Sequence, residues 1–406
     1  MKILLVNTVI RPGSVGRITT DLYNVITAAG HEAYLGIGRE PWDEAYKGRV
    51  IGNKKDFYLH VGKNFLQGEA GFGSAEVTRA FLQYITELKP DLIHLHNIHG
   101  FYLQVEMLFS FLKKAGIPVV WTLHDCWPFT GHCAYYDYAA CEKWKTGCHT
   151  CMMHAKTYPY AIFKDNTVNA YARKREAFVG VPNLHIVTPS AWLAGELKES
   201  FLREYPVHVI PNGIDLDVFS PKESVVGDNV KYILGVANIW EFRKGLQYFE
   251  RLAEGLPDGY RVKLIGVDKR LQKKLKKKHG DKMELVGRTA NIEELADAYR
   301  QAAVFVNPTL EDNLPTTNIE ALACGTPVVT YQTGGSGEIA DEKSGITVAR
   351  GDYDALVSAV IRTANGAFSP KDCRKRAEAF DKKTCYGRYI ELYEELSGGS
   401  AHAAKR

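Results

Sequence analysis

Two carboxylates flank the start of a predicted helix within residues 309–330. Asp312 lies in the loop before this helix with Glu311 beside it, and Glu320 lies on the helix, eight residues after Asp312. The N-terminus of a helix attracts a diphosphate, because its first amide groups are unpaired and the helix dipole is positive there. With one carboxylate for sugar hydroxyls and the other for a ribose, this spacing suits the binding of a nucleotide sugar.

The same segment resembles the signature of glycosyltransferase family 4, a group of retaining sugar transferases. Residues 320–327, Glu-Ala-Leu-Ala-Cys-Gly-Thr-Pro, carry the match. The Glu-x7-Glu spacing of the family selects Asp312 as the first acid and leaves Glu311 as the alternative. The family's Gly-Phe-Gly is replaced by Asn313, Leu314 and Pro315, and Pro315 has no amide hydrogen to donate.

The resemblance implies transfer of a hexosyl group from a nucleoside diphosphate sugar to a saccharide acceptor, with retained configuration and no catalytic metal. It also implies an α/β fold of the GT-B type. Two Rossmann-like, doubly wound parallel-sheet domains would face a cleft, and a C-terminal helix would cross back to the first domain. We expect Asp312 or Glu311 to bind the donor sugar and Glu320 to bind the ribose. Further contacts with the donor are expected from Asn313, Leu314, Thr316 and Thr317.

The composition predicts a cytoplasmic chain with two domains. A chain of 406 residues that is 45% apolar can bury two cores. Its net charge of +4 does not by itself indicate nucleic acid, and no apolar run approaches the ~20 residues of a membrane span. The apolar start, residues 1–6, is too short for a signal peptide and predicts the first strand of a fold.

Short apolar segments alternate with predicted helices in two series, which predicts parallel sheets with right-handed crossovers. The predicted strands are 3–6, 92–95, 119–123, 186–188 and 207–210, then 232–236, 262–265, 283–286, 304–306 and 327–330. The turn-rich Pro-Asn-Gly-Ile-Asp at 211–215 separates the series. With the resemblance, this gives an acceptor domain over 1–210 with a Cys-rich insertion at 126–154, a donor domain over 211–380, a cross-over helix over 381–397, and a disordered tail over 398–406.

Two motifs of the first domain follow predicted strands. His124 and Asp125 resemble the family's His-Asp, in which the histidine contacts the transferring sugar, and Asp125 is expected to orient its imidazole. Gly16 lies in the loop 11–17 after the first strand, where glycines let the backbone approach a ligand. The resemblance assigns this loop to the acceptor and the diphosphate, and an ordinary strand-to-helix turn is the alternative.

Three cations of the second domain are candidates for donor binding. Lys244 matches the family's Lys-Gly, and we expect it to neutralise the leaving diphosphate. The family's arginine has no counterpart just before it, so Arg243 is the candidate substitute. Arg288 ends a strand at a position that resembles the family's contact with the nucleotide base. Asp215-Leu216-Asp217 has the form of a metal motif, which we reject because the family has Asp-x-x-x-Phe at this place.

Five cysteines crowd residues 126–151. The spacing C-x7-C-x6-C-x2-C of Cys133, Cys141, Cys148 and Cys151 predicts a structural zinc site of four thiolates. Disulfides and free thiols are the alternatives, and disulfides are uncommon in the cytosol. A zinc site here would brace the insertion beside His124.

Residues 269–278 carry Lys or Arg at seven of ten positions. The pattern predicts a solvated helix, with contact to anionic lipid as the alternative. Lipid contact would suit a lipid-linked saccharide acceptor at the inner face of a membrane.

The sequence therefore predicts a retaining hexosyltransferase of surface or exo-polysaccharide biosynthesis. Two alternatives stay open, namely a non-catalytic scaffold that binds nucleotide sugars and a sugar-nucleotide epimerase. A nicotinamide dehydrogenase is disfavoured, because the sequence lacks the G-x-G-x-x-G fingerprint.

Overall fold

Two sheets of parallel strands organise the chain. The computed structural model describes residues 1–11, 13–39, 41–222 and 230–403. The chain divides into two compact units, one of Met1–Pro211 with Tyr386–Arg406 and the other of Asn212–Cys385. The division after Pro211 lies one residue from the predicted boundary after residue 210.

The first unit alternates strands and helices around a seven-stranded sheet of order β3-β2-β1-β4-β5-β6-β7. Its elements are β1 (Lys2–Asn7), α1 (Gly13–Ala28), β2 (Glu32–Ile37), β3 (Gly48–Val50), α2 (Lys54–Gln67), α3 (Ala75–Leu88), β4 (Leu92–Leu95), α4 (Val105–Ala115), β5 (Val119–Thr122), α5 (Thr167–Phe178), β6 (Leu184–Thr188), α6 (Ala191–Lys198) and β7 (Val207–Val209). The winding direction reverses between β1 and β4, which is the switch point of this sheet.

The second unit has a six-stranded parallel sheet of order β10-β9-β8-β11-β12-β13. Its elements are β8 (Lys231–Val236), α7 (Leu246–Gly255), β9 (Tyr260–Ile265), α8 (Lys269–His279), β10 (Met283–Val286), α9 (Ile292–Arg300), β11 (Ala302–Asn307), α10 (Thr316–Ala323), β12 (Val328–Tyr331), β13 (Gly345–Val348), α11 (Tyr353–Ala364) and α12 (Pro370–Ala377). Its switch point lies between β8 and β11. The predicted α/β class with two parallel-sheet domains is confirmed.

The strands that were predicted are mainly apolar. Residues 3–6 of β1, Ile-Leu-Leu-Val, are fully buried, because helices cover both faces of a parallel sheet. Each such side chain contributes about 1.5–3 kcal/mol through burial. By contrast, β2 was not predicted, since it starts with the exposed Glu32 and contains Gly36. That glycine is needed, because a Cβ there would lie 2.5 Å from the ring of Phe81.

The last helix, α13 (Lys382–Ala403), starts in the second unit and continues in the first. The Tyr393 hydroxyl lies 2.6 Å from His94 Nδ1, and the Tyr389 hydroxyl lies 3.1 Å from Thr122 Oγ1. The predicted return of this helix to the first domain is therefore confirmed. The predicted disorder of residues 398–406 stays a prediction; helix α13 extends to Ala403, and residues 404–406 lie outside the described residues.

No helix among the described residues is long and apolar enough to cross a bilayer.

The backbone just after β9 packs closely against the loop that follows β8. Gly266 has φ +85°, and a Cβ there would lie 1.7 Å from the carbonyl oxygen of Ala237. Gly259, with φ +87°, has open space around the same position. We expect Gly259→Ala to lower the free energy of unfolding by about 1 kcal/mol through backbone strain alone, and Gly266→Ala to lower it by about 2–4 kcal/mol, because overpacking adds to the strain. Chemical unfolding of the two variants side by side measures this, and equal losses would contradict the close approach.

His60 on α2 makes the fold sensitive to acid. Its Nε2 accepts hydrogen bonds from the amides of Gly71 (3.2 Å) and Gly73 (3.0 Å), so its proton must be on Nδ1, which faces Ser74 Oγ at 2.9 Å. Burial, as the largest cause, lowers the pKa of His60 from 6.5 to about 4. The neutral ring is thus part of the folded state, whereas the unfolded chain takes up the proton first as the pH falls.

We therefore expect the melting temperature to fall as the pH is lowered from about 6.5 towards 4, since in this window the unfolded state binds more protons. Burial also lowers the pKa values of His124 and His132 to about 4, so these residues act in the same direction. His60→Gln removes one titrating group, and its melting temperature should fall less steeply over this window. An unchanged slope, measured by calorimetry across the pH range, would exclude His60 as a contributor.

Candidate functional site

The predicted donor residues of the second unit gather at its switch point. The loop after β8 carries Arg243 and Lys244, and the loop after β11 carries Glu311 and Asp312. Strands β8 and β11 are neighbours in the sheet, and ligands of open parallel sheets bind at the carboxyl ends of the strands where the winding reverses.

Lys244 and Asp312 form an ion pair between these two loops. Lys244 Nζ lies 2.6 Å from Asp312 Oδ2, and the side chains are 25% and 16% exposed, so an incoming ligand can reach both. Asp312 Oδ1 accepts a hydrogen bond from the backbone amide of Asn313 at 2.9 Å. The residue predicted to bind the diphosphate, Lys244, is therefore in direct contact with Asp312, one of the two residues predicted to bind the donor sugar.

The backbone of Arg243 ties the same loops together. Its carbonyl oxygen accepts hydrogen bonds from the amide of Leu310 at 2.7 Å and from Thr309 Oγ1 at 3.2 Å. The next glycine, Gly245, lies so close to the other loop that a Cβ would be 2.3 Å from the carbonyl oxygen of Pro308. The position of Lys244 is thus fixed by backbone contacts on both sides.

Helix α10 begins at this site. Pro315 is its N-cap and makes no side-chain cap hydrogen bond, and the next residues, Thr316 and Thr317, are partly exposed. Leu314 is buried, and its carbonyl oxygen accepts a hydrogen bond from Asn212 Nδ2 at 3.4 Å. This arrangement can bind an anion at the helix N-terminus.

The three acidic residues predicted to bind the donor, Glu311, Asp312 and Glu320, differ in how deeply they are buried. Glu320, on α10, is 1% exposed, and its Oε2 accepts a hydrogen bond from the Tyr299 hydroxyl at 2.9 Å. Glu311 is also buried, at 5% exposure, whereas Asp312 is partly exposed. Of the two candidates for the first acid, Asp312 is thus the more accessible.

The two arginine candidates lie on the same edge of the sheet. Arg243 Nε contacts Glu241 Oε1 at 2.6 Å, within its own loop. Arg288 follows β10, is exposed, and donates from Nη2 to Asn238 Oδ1 at 3.2 Å. Because Asn238 follows β8, this contact brings Arg288 to the loop that carries Lys244.

In the first unit, His124 lies directly after β5 and pairs with a second histidine. Its Nε2 is 3.0 Å from His96 Nδ1, and the two rings are nearly parallel at 16°. Burial, as the largest cause, lowers the pKa of His124 to about 4 and that of His96 well below 6.5, so both rings are neutral at physiological pH. One proton between the two nitrogens therefore fixes the tautomer of each ring.

Asp125 contacts His99, a histidine that was not predicted. Its Oδ2 lies 2.9 Å from His99 Nε2, and its Oδ1 accepts a hydrogen bond from the amide of Trp127 at 3.0 Å. Burial alone would raise the pKa of Asp125, but His99 and the Trp127 amide bring it below its ordinary value. The orientation of the His124 imidazole by Asp125 stays a prediction, and His124 Nε2 contacts His96.

His96 and His99 were not predicted as site residues. The available signal was the run His-Leu-His-Asn-Ile-His at 94–99, which starts at the end of β4, so that His96 and His99 follow β4 as His124 follows β5. Because β4 and β5 are adjacent, their ends place these side chains together.

Gly16 lies in the first turn of α1, near the switch point of the first sheet. A Cβ at this position would be 2.8 Å from the carbonyl oxygen of Ile10. The glycine therefore lets the loop after β1 pack against the helix, and a ligand contact of this loop stays a prediction.

The four cysteines of the predicted zinc site are free thiols. Burial, as the largest cause, raises the pKa of the Cys133 thiol, and Cys151, Cys148 and Cys141 raise it further. Within the part of the chain that the structure describes, no three His, Cys, Asp or Glu side chains stand ready to hold a metal ion. The zinc site thus stays a prediction.

Comparison with known proteins places both units in one group of enzymes. Residues 15–218, half of the chain, match the family described as Glycosyltransferase Family 4. Residues 230–365 match the family described as Glycosyl transferases group 1.

Two Escherichia coli proteins are among the relatives. The putative colanic acid biosynthesis glycosyl transferase WcaC of strain K12 is 26% identical over 336 residues, covering 76% of this chain and 77% of WcaC. The UDP-Gal:alpha-D-GlcNAc-diphosphoundecaprenol alpha-1,3-galactosyltransferase is 26% identical over 202 residues, covering 44% of this chain and 51% of that enzyme.

Solved structures share the fold over nearly the whole chain. Sucrose-phosphate synthase from Thermosynechococcus elongatus superposes with a TM-score of 0.72 at 17% identity, covering 98% of this chain and 99% of the other. Anabaena HepE in complex with UDP-glucose superposes with a TM-score of 0.66 at 15% identity, covering 97% of this chain and 100% of the other. With the family match over its first half, the chain belongs to glycosyltransferase family 4 and has the GT-B fold.

Proposed function

We propose that this glycosyltransferase moves a hexosyl group from a nucleoside diphosphate sugar to a saccharide acceptor, with retained configuration, in the synthesis of a surface or exo-polysaccharide. The observation that carries the proposal is the 2.6 Å contact between Lys244 Nζ and Asp312 Oδ2 at the switch point of the second sheet. It places a cation suited to a diphosphate beside a carboxylate suited to sugar hydroxyls.

The charges of this site fit the departure of a nucleoside diphosphate. As the bond from the sugar's C1 to the diphosphate breaks, negative charge grows on the leaving oxygen, and Lys244 with the first amides of α10 stabilises it. The acceptor oxygen bonds to C1 on the same face, and its proton passes to the leaving phosphate oxygen. This route requires no metal, and it leaves Asp312 to hold the donor sugar and Glu320 to bind the ribose.

We assign acceptor binding to the first unit, with His124 in contact with the transferred sugar. A neutral imidazole in this place offers a hydrogen bond rather than a positive charge, since burial lowers the pKa of His124 to about 4. The pairing of His124 Nε2 with His96 Nδ1 at 3.0 Å keeps the ring in one orientation.

The relatives suggest which substrates to try first. The galactosyltransferase relative is named for UDP-Gal and for an acceptor on diphosphoundecaprenol, and the HepE structure contains UDP-glucose. WcaC is named for the biosynthesis of colanic acid. A UDP-sugar donor and a lipid-linked saccharide acceptor are therefore the first pair of substrates to test.

The test is sugar transfer by donor-site variants. A thermal-shift screen of UDP-, GDP- and ADP-sugars selects the donor, because a ligand of the folded state raises its melting temperature. With that donor, we expect Lys244→Gln to lower kcat/KM by about 10²–10³-fold, as for the loss of one group that stabilises developing charge. Glu320→Gln should mainly raise the KM for the donor, because its contact with the ribose is the same before and during the reaction.

Lys371→Gln is the matched control, since Lys371 is an exposed lysine on α12 of the same unit and belongs to neither proposed site. It should transfer at the wild-type rate. Full rates in folded Lys244→Gln and Glu320→Gln would overturn the proposal. Donor binding without transfer would favour the scaffold alternative, and conversion of the donor sugar without acceptor would favour an epimerase.

We further propose that the enzyme works in the cytoplasm, peripherally at the inner face of the membrane, through α8. The seven Lys and Arg residues of 269–278 are all exposed, while Leu275 on the same helix is fully buried. Such a helix presents a continuous basic face to an anionic surface.

We expect the wild-type protein to sediment with vesicles that contain anionic lipid, and Lys273→Glu/Lys277→Glu to bind them at least about tenfold more weakly, since each basic residue contributes about 1 kcal/mol near such a surface. Lys198→Glu/Lys371→Glu makes the same charge change at exposed positions on other helices, and it should bind as the wild type does. Equal weakening by both double variants would show that net charge, rather than α8, determines the binding.

A further inference from the structure

Helix α2 of the first unit carries apolar side chains on its exposed face. Tyr58, Leu59, Phe65 and Leu66 recur at helical spacing and are all exposed, Tyr58 at 68% and Leu59 at 63%. Gly62 lies in the middle of this face, where a Cβ would meet no heavy atom of the described chain within 4 Å. The face is therefore open in the part of the chain that the structure describes.

The two buried residues of α2 are both polar, whereas a surface helix ordinarily turns its apolar stripe towards the core. His60 accepts hydrogen bonds from two backbone amides of the segment that follows the helix. Asn64 Nδ2 donates to the carbonyl oxygens of Pro159 and Tyr160. Helix α2 is thus attached to its unit through hydrogen bonds, and its exposed apolar residues lie outside the hydrophobic core of that unit.

The segment 160–163 continues the apolar face of α2. The Ile162 amide donates to the carbonyl oxygen of Phe65 at 3.1 Å, and the ring centroids of Phe65 and Phe163 lie 6.0 Å apart. Phe163 is 70% exposed, and Tyr160 and Ile162 are exposed as well. The two segments form one surface, here named the α2 apolar surface, which consists of Tyr58, Leu59, Phe65, Leu66, Tyr160, Ile162 and Phe163. Contiguous exposed apolar side chains of this kind mark a site of interaction.

The border of the α2 apolar surface is basic. Asp56 and Asp165 accept hydrogen bonds from backbone amides, and Glu69 pairs with Lys63 at 2.7 Å. Residues three or four positions apart are neighbours on a helix, so the lysines of α2 lie beside its exposed apolar residues. Against these three carboxylates stand five exposed lysines, namely Lys54, Lys55, Lys63, Lys156 and Lys164. The charge around the surface is therefore complementary to an anionic partner.

The composition of this surface favours a bilayer over a protein as that partner. Helices that lie in a membrane interface combine Leu and Phe on one side with lysines beside them, and tyrosine is enriched at the level of the lipid headgroups. Protein–protein interfaces, by contrast, are depleted in lysine.

We propose that the α2 apolar surface inserts into the headgroup region of an anionic bilayer, with its bordering lysines at the level of the lipid phosphates. Apolar side chains of interfacial helices reach about 5–10 Å into the boundary between headgroups and acyl chains. This contact belongs to the first unit and requires neither α8 nor the donor site. It also differs in kind from the contact of α8, because it buries apolar side chains and is therefore only partly screened by salt.

The inner side of α2 packs towards the candidate acceptor residues. The ring centroids of Phe57 and Phe101 lie 6.1 Å apart, and those of Phe101 and Tyr158 lie 6.0 Å apart. The Tyr158 hydroxyl is 3.3 Å from His99 Nδ1. A bilayer bound to α2 would thus hold the headgroup of a lipid-linked saccharide on the side of the unit that carries His124, a step that rests on the proposed function.

The first experiment measures binding of the full-length chain to vesicles of phosphatidylcholine and phosphatidylglycerol in equal parts. The salt is about 1 M, where the Debye length is about 3 Å and charge attraction is largely screened. We expect the wild type to sediment with the vesicles, and Leu59→Ser/Phe163→Ser to lower the partition coefficient about 10–100-fold, because burial of each large apolar side chain favours the membrane about tenfold.

Val179→Ser/Ile292→Ser is the matched control, since it removes two exposed apolar side chains outside the α2 apolar surface. It should bind as the wild type does. Equal binding by the wild type and Leu59→Ser/Phe163→Ser would overturn the proposal, and so would a wild type that does not bind at this salt. Both double variants change exposed residues, and an unaltered melting temperature confirms that they are folded.

A second experiment measures the depth of insertion. Phe163→Trp places an indole on the surface, whereas the native Trp121, Trp127 and Trp144 are fully buried. We expect the added fluorescence of this variant to be quenched by lipid that is brominated at the headgroup end of its acyl chains, and that of Ile292→Trp to be unaffected. Fluorescence of Phe163→Trp that is not quenched would contradict insertion.

A second copy of this chain is the other occupant that the experiments must exclude. Light scattering without vesicles measures the molar mass of the wild type and of Leu59→Ser/Phe163→Ser, and we expect the two to agree. A wild-type dimer that the double variant converts to a monomer would show that another copy covers the surface, and would overturn the proposal. Because vesicle binding does not require sugar transfer, a chain that inserts through this surface but transfers no sugar would refute the proposed function alone.

Discussion

All strands of a parallel sheet end at the same edge, and the rest of this structure depends on that constraint. Wherever the winding reverses, two loops that are far apart in the chain emerge side by side with no helix between them. In the second unit these are the loops after β8 and β11, whose backbones are so close that Gly245 leaves no room for a Cβ beside Pro308. Side chains from both loops are thereby brought to one place without a dedicated scaffold.

The same constraint explains what the first unit presents. His96 follows β4 and His124 follows β5, so the geometry of two adjacent strands sets the 3.0 Å distance between the two imidazoles. Both rings are buried and neutral, and each limits the tautomer of the other. The returning helix α13 packs behind them, because Tyr393 and Tyr389 contact His94 and Thr122 on these strands.

Much of this architecture could be predicted from the sequence, and the failures have physical causes. Apolar runs such as 3–6 identified the central strands, whereas β2, β3 and β13 were missed because they are short or contain glycine and polar residues. Lys244 and Asp312 were each identified, but not their contact, since the sequence does not reveal that β8 lies beside β11. The contact of Asp125 with His99 was not predicted for the same reason, because His99 is 26 residues away, in the loop after another strand.

The ion pair of Lys244 with Asp312 gives the proposed donor site a built-in counter-ion. A simple anion that approaches Lys244 has to displace a carboxylate, and it leaves that carboxylate without a partner, so inorganic phosphate would gain little by binding. A nucleotide sugar supplies a new partner for both groups, since its diphosphate binds Lys244 and its sugar hydroxyls donate hydrogen bonds to Asp312. After transfer the departing nucleoside diphosphate can satisfy only the lysine, and the return of Asp312 to Lys244 would then help to expel the spent nucleotide. One pair of side chains would in this way reject small anions and speed the release of product.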